Sequence, residues 1–177
     1  MKMIKAPIAL LLITLLFAAC TDSSSDDAGH GGDSPAADGS APLDPVTVVD
    51  GLTVVKMTGN DRMKFSLESF SVPAGSPVKV VFNNVGKMPK AAMGHNVVFL
   101  AAEANTNAFA AAAASARETD YIPEQLQDQI LIATKLLGPG ETDTIEFTAP
   151  KTPGEYAFLC SFPAHAYAGM VGVMVVE

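Results

Sequence analysis

Glu155-Tyr156-Ala157-Phe158-Leu159-Cys160-Ser161-Phe162-Pro163-Ala164-His165-Ala166-Tyr167-Ala168-Gly169-Met170-Val171-Gly172-Val173-Met174-Val175-Val176 decides how the rest of this chain is read. Two strand-like runs, Glu155 to Leu159 and Val171 to Val176, flank a segment that carries a thiol, an imidazole and a thioether. Cys160 ends the first strand and Met170 opens the second, so the segment between them must fold back over a point. Pro163 stiffens that loop and Gly169 lets it turn. A second imidazole stands far upstream, in Gly94-His95 at the head of the strand-like run Asn96 to Leu100.

Taken singly, each of these side chains has an ordinary explanation. Cysteine is among the most buried residue types, and methionine fills gaps in cores. Taken together, Cys160, His95, His165 and a weakly held Met170 form the ligand set that selects copper and makes it an electron carrier. Thiolate and thioether suit Cu(I), and imidazole suits both oxidation states.

Outward from this loop, the chain from about residue 46 reads as short strands. Thr47 to Val49 and Leu52 to Lys56 are rich in β-branched residues, as one bent strand or two short ones. Met63 to Leu67 alternates apolar with polar, Val78 to Phe82 is a strong strand, and Asp143 to Phe147 alternates again. Pro73 to Pro77, Asn83 to Gly86, Gly138 to Gly140 and Lys151 to Gly154 are turns. Residues 101–129 break the pattern. Ala101 to Ala116 is alanine-rich and predicts a helix, with a second short turn over Pro123 to Gln129. Seven or eight short strands with one helical flap inserted between them argue for an all-β sandwich or barrel.

The N-terminal region has a different composition. Lys2 and Lys5 precede the apolar run Ile8 to Phe17 and the small residues Ala18-Ala19, so residues 1–19 read as a secretory signal peptide. Phe17-Ala18-Ala19-Cys20 is similar to the lipobox of bacterial lipoproteins, which predicts acylation of Cys20. Residues 20–45 are Ser, Asp, Gly, Ala and Pro with almost no large apolar side chain, a flexible acidic tether. His30 lies in the tether and takes no role. The 46–177 stretch is then the folded domain, exported and held at a membrane by lipid.

The chain has 11 basic and 19 acidic residues and a formal charge of −8. Losing Lys2 and Lys5 with the leader would leave nine against nineteen and a charge of −10. That excess argues against nucleic acid as a partner. Six of the acids sit in the tether, so the domain itself is only mildly acidic. With Cys20 acylated, Cys160 is alone in an exported protein, and a bound metal would shield it from oxidation.

From about residue 60 onward the chain resembles the azurins, within the cupredoxin family of small blue copper proteins. Met93-Gly94-His95-Asn96, Cys160-Ser161-Phe162-Pro163-Ala164-His165 and Thr134-Lys135-Leu136-Leu137-Gly138-Pro139-Gly140-Glu141 carry the resemblance. It implies a Greek-key β-sandwich with the helical flap where azurins carry one. It also implies equatorial His95, Cys160 and His165, a weak axial Met170, and the Gly94 carbonyl on the opposite side. Asn96 would bond near the thiolate loop. Met88, Ala92, Met93, Phe162 and Pro163 would form an apolar docking collar around the exposed edge of His165, with Ala164 beside it.

Four departures stand out. Four residues separate His165 from Met170, where azurins have three, a spacing similar to that of auracyanin. Ala164 stands where azurins have Gly, and no cysteine remains for the azurin disulfide. Asn84 occupies a position where some azurins carry a titrating His, which implies no pH switch there.

The implied function is outer-sphere transfer of single electrons between redox proteins such as cytochromes or copper oxidoreductases, outside the cytoplasm. An extracytoplasmic copper carrier would use the same ligands, and zinc would bind them as well. Catalysis is disfavoured, because enzymatic metal sites keep an open position and only three histidines are present.

Overall fold

The computed structural model describes residues 44–177, so the leader, Cys20 and most of the tether lie outside the described residues. Among the described residues, ten strands form two five-stranded sheets, with helical segments confined to two connections.

One sheet holds β1 (Val46–Val49), β2 (Leu52–Asn60), β5 (Pro77–Asn84) and β8 (Thr142–Thr148) in the order β1-β2-β5-β8, with β3 (Lys64–Phe65) paired to β2. The other runs β4-β10-β9-β6-β7, built from β4 (Ser69–Val72), β6 (Val98–Leu100), β7 (Ile130–Ala133), β9 (Gly154–Leu159) and β10 (Val171–Val176). Connections cross repeatedly between the sheets, and β2 lies parallel to β5 and β4 parallel to β10. The expected all-β sandwich is what the chain adopts.

Local chemistry explains the pairings. Asp50 and Gly51 both have positive φ, 50° and 80°, so β1 and β2 are a hairpin on a tight turn of the Asp-Gly kind rather than one bent strand. In β2 and β5 alternate residues point inward: Val55 and Met57 from one, Val78, Val80 and Phe82 from the other. Phe70, Phe99, Phe158 and Met174 meet them from the second sheet. Burying that aromatic and aliphatic area is the main force holding the sheets face to face.

β6 is buried on both faces, which accounts for its unbroken apolar run. Phe99 faces the inter-sheet core, while Val98 and Leu100 join Leu159 beneath the flap. The flap helix is shorter than the alanine run predicts. Helix α2 spans Thr106–Ala113, because the Asn105 side chain accepts the Ala108 N–H at 2.9 Å and caps it there. Phe109 and Ala113 seal it onto β6 and β9. Two 3-10 turns, Arg117–Thr119 and Glu124–Gln129, complete the flap.

Two elements escaped the period-two reading. Met63 to Leu67 contributes only the two residues of β3, and the chain crosses to the opposite sheet to form β4. Helix α1 (Lys90–Met93) is a single turn started by Pro89, just ahead of Gly94-His95.

Candidate metal centre

The base of the β9–β10 hairpin fixes the lower edge of the site. Leu159 pairs with Val171, and the Cys160 N–H donates to the Met170 carbonyl at 3.1 Å. Above that bond the loop winds on itself. The His165 N–H donates to Phe162 O at 3.1 Å, Ala168 N–H to Ala164 O at 2.9 Å, and Met170 N–H to His165 O at 2.9 Å. Ala164 holds φ of 71°, a left-handed conformation that favours Gly, and Gly169 holds 89°.

His95 arrives from the other direction. Its backbone exchanges hydrogen bonds with Leu137, N–H to O at 3.1 Å and O from N–H at 2.8 Å. The buried Asn84 side chain donates to the same Leu137 carbonyl at 3.1 Å. A structural amide thus occupies this position, with no titrating group.

These two deliveries converge. One ligand atom each from His95, Cys160 and His165 lies within 4.8 Å of the others, and all three residues are buried. Cys160 Sγ is 3.4 Å from His165 Nδ1 and 3.9 Å from His95 Nδ1. The Gly94 carbonyl oxygen stands 4.0 Å from the same sulfur. Met170 is fully buried, and its Cε and the His95 ring both border Gly59 in β2, which places the end of its side chain beside that imidazole. The four sequence-predicted side chains are brought together with the carbonyl.

Burial dominates the electrostatics. It pushes the Cys160 thiol up to about 12, against backbone N–H contacts from Asn96 and Phe162 that work the other way. It lowers His165 to about 4, helped by the neighbouring His95. His95 is lowered by burial too, opposed by Asp61 and the Asn60 backbone, although its Nε2 has no partner at hydrogen-bond geometry. Three desolvated donors facing one point, two nitrogens and one soft sulfur, fit copper.

The surrounding contacts hold the donors in place. Asn96 Nδ2 donates to Ser161 Oγ at 2.8 Å, and the Ser161 N–H donates to Asn96 Oδ1 at 2.9 Å. This pair of hydrogen bonds clamps the residue after Cys160 to the residue after His95. Thr134 Oγ1 accepts the Val97 N–H at 2.9 Å and continues the brace into β7's end.

Phe162 sits differently from its expected place in an exposed collar. It is 9% exposed, and its ring lies 4.7 Å from the His165 ring and 4.9 Å from Tyr121. The flap residue Tyr121 therefore covers Phe162, and the collar surface falls to the other residues. Met88 is 42% exposed, Ala92 and Ala164 are exposed, and Met93 and Pro163 are half-buried. His165 itself is 2% exposed, so the imidazole edge expected at the surface is almost entirely covered.

Two residues at the site gave no notice in the ligand spacing. Gly59 is an isolated glycine inside a strand pattern, a signal of close approach by another group. Tyr121 lies in the flap, and nothing in the sequence ties it to the loop forty residues later.

A family model described as copper binding proteins of the plastocyanin/azurin family matches residues 52–177. The chain is similar to azurin of Alcaligenes faecalis, 37% identical over 63% of this chain and 88% of that protein. It is similar to outer membrane protein H.8 of Neisseria meningitidis, 34% identical, across 60% of this chain and 58% of that longer protein. Among solved structures, reduced auracyanin from Roseiflexus castenholzii superposes with a TM-score of 0.59 at 34% identity, over 70% of this chain and 96% of that one.

Proposed function

The chain belongs to the plastocyanin/azurin family of copper-binding proteins, and from that premise we propose that it carries single electrons between redox partner proteins while tethered outside the cytoplasm by lipid on Cys20. As a member of that family it is a blue copper electron-transfer protein.

One observation carries this reading: a thiol and one nitrogen from each of two imidazoles meet within 4.8 Å in a buried setting beside the buried Met170. Copper, when bound, supplies a one-electron couple. The protein's residues do the rest. His95, Cys160 and His165 would supply the three strong donors, with Met170 and the Gly94 carbonyl as weak ones. The Asn96–Ser161 clamp and the Leu137 bridge keep the donors from moving between oxidation states, which keeps transfer fast. Met88, Ala92, Met93, Pro163 and Ala164 would dock a partner such as a cytochrome or a copper oxidoreductase. Phe162 supports His165 from beneath.

Four protein donors and a carbonyl leave no open position of the kind metalloenzyme sites keep. That supports electron carriage over catalysis. Anchoring rests on Phe17-Ala18-Ala19-Cys20 and on the acidic segment that follows. Similarity to a protein named for the outer membrane is in keeping with it.

A visible spectrum tests the central reading. The wild type loaded with Cu(II) should show an intense thiolate-to-copper band that Cys160→Ser abolishes. Reversible one-electron cycling without copper loss supports the shuttle, whereas metal exchange within minutes would mean a copper carrier instead. For the anchor, Cys20→Ala should move the protein from the membrane fraction to the soluble one.

A further inference from the structure

The chain segment that turns from β2 into β3 reaches two loops of the site at once. Asp61 Oδ2 accepts the Lys87 N–H at 2.8 Å, and Oδ1 accepts the Met88 N–H at 3.3 Å, which fixes the loop before helix α1. Three residues later, Lys64 Nζ donates to Ala168 O at 3.1 Å and to Gly169 O at 3.4 Å. These are the last two carbonyls before Met170. No backbone N–H among the described residues donates to either of them.

The turn over residues 163–169 leaves these two carbonyls without a backbone donor, like the unsatisfied carbonyls at a helix C-terminus. A lysine ammonium at such an end bonds the free carbonyls and meets the negative end of the peptide dipoles. Gly169 is fitted to this contact: a Cβ there would lie 2.6 Å from Lys64 Nζ, and its φ of 89° disfavours any side chain.

We infer that Lys64 is a positioning residue that clamps the end of the ligand loop and so fixes where the Met170 side chain sits. The loop is long for the ligand set it carries, with four residues between His165 and Met170. Its own hydrogen bonds at this end are donated by N–H groups, Ala168 to Ala164 O, Gly169 to Ala166 O at 3.0 Å and Met170 to His165 O, and none of them uses the Ala168 or Gly169 carbonyl. On the far flank Tyr167 Oη donates to Asn107 O at 3.1 Å, but that contact holds the middle of the loop to α2 and does not reach the carbonyls of residues 168 and 169. Lys64 is the tie next to the thioether. This rests on the reading that Met170 is a copper ligand, although the clamp itself is a property of the chain alone.

The test uses Lys64→Met, which keeps the aliphatic stem and removes the ammonium, and Lys64→Arg, which keeps a cationic donor. In the copper-free protein, amide hydrogen exchange at Gly169 and Met170 should accelerate about five- to tenfold in K64M, the effect of one hydrogen bond of ordinary net strength. Amides of the β2–β5 ladder should not change, and K64R should restore protection. After copper loading, the shape of the thiolate-to-copper spectrum should change in K64M and return in K64R. Unchanged exchange at residues 169 and 170, uniform acceleration across the whole protein, or a K64R spectrum equal to that of K64M would overturn the assignment. A wild type that takes up copper without developing the band would instead sink the proposed function, and the exchange result would still stand.

Discussion

Gly59 in β2 faces Met170 so closely that a Cβ on the glycine would stand 2.9 Å from the Met170 Cε. The same point is 3.0 Å from Phe82 Cζ and 3.3 Å from the His95 ring. The strand approaches the site because this residue lacks a side chain, and the thioether and imidazole fill the space it leaves. Gly59 has no positive φ, so the demand is for room and not for a special backbone.

Gly59→Ala should therefore fold but press on the thioether. Overpacking of this size costs about 1–3 kcal/mol, measurable by chemical denaturation of the copper-free form. The copper-loaded variant should show an altered visible spectrum. A wild-type spectrum with wild-type stability would mean that the thioether has slack.

Asn96→Leu removes both bonds to Ser161 and leaves a buried N–H and hydroxyl without partners. Each such orphan costs about 1–3 kcal/mol, so a loss of several kcal/mol is expected in the same denaturation experiment. Ser161→Ala keeps the Asn96 Oδ1 acceptor for the N–H of residue 161 and orphans only the Asn96 Nδ2 group, so it should lose less. Equal losses in the two variants would count against the clamp.

Phe162→Ala uncovers one face of the His165 ring and opens a cavity under Tyr121. A truncation of this kind costs about 3–5 kcal/mol. Because burial is the chief reason His165 titrates near 4, admitting water should raise its value toward the ordinary 6.5. Proton NMR of the copper-free protein reads this directly, and an unmoved titration would show that Phe162 does not shield the ring.

The pH dependence of copper-free stability follows from the same burial. His165 titrates lower in the folded state than unfolded, so unfolded chains bind its proton first. Its contribution is whole above about 6.5 and is lost as pH falls from there toward about 4. His95, shifted in the same direction, adds to the loss. Cys160 behaves in mirror image: its folded value is raised to about 12, so stability is whole below about 9 and falls as pH rises beyond it. Unfolding midpoints from pH 4 to 11 should trace a plateau between about 6.5 and 9 with a decline on each side. A midpoint that rises on acidification below pH 6 would contradict the buried neutral imidazoles.

The sequence by itself determined the donors and the sheet-forming character of the domain. Cys160, His165 and Met170 were legible because a short loop between two strand patterns leaves them few places to go, and Gly94-His95 because it heads an apolar strand. Asn96 and the Thr134 to Glu141 turn were legible only through resemblance to azurins. In the structure Asn96 bonds to Ser161 and Thr134 accepts the Val97 N–H.

Tertiary structure alone decided the rest, since contacts between residues far apart in the chain leave no periodic trace. The separation of β3 from β4 depends on which sheet each edge finds, and α2 begins where Asn105 captures an N–H rather than where alanine begins. Tyr121 reaches Phe162 only because Phe109 and Ala113 seat the flap on β6 and β9. Gly59 and Lys64 touch the ligand loop only because β2 and β3 run beneath it. Spacing along a chain names which groups can serve a metal; the packing of two sheets determines how firmly they are held.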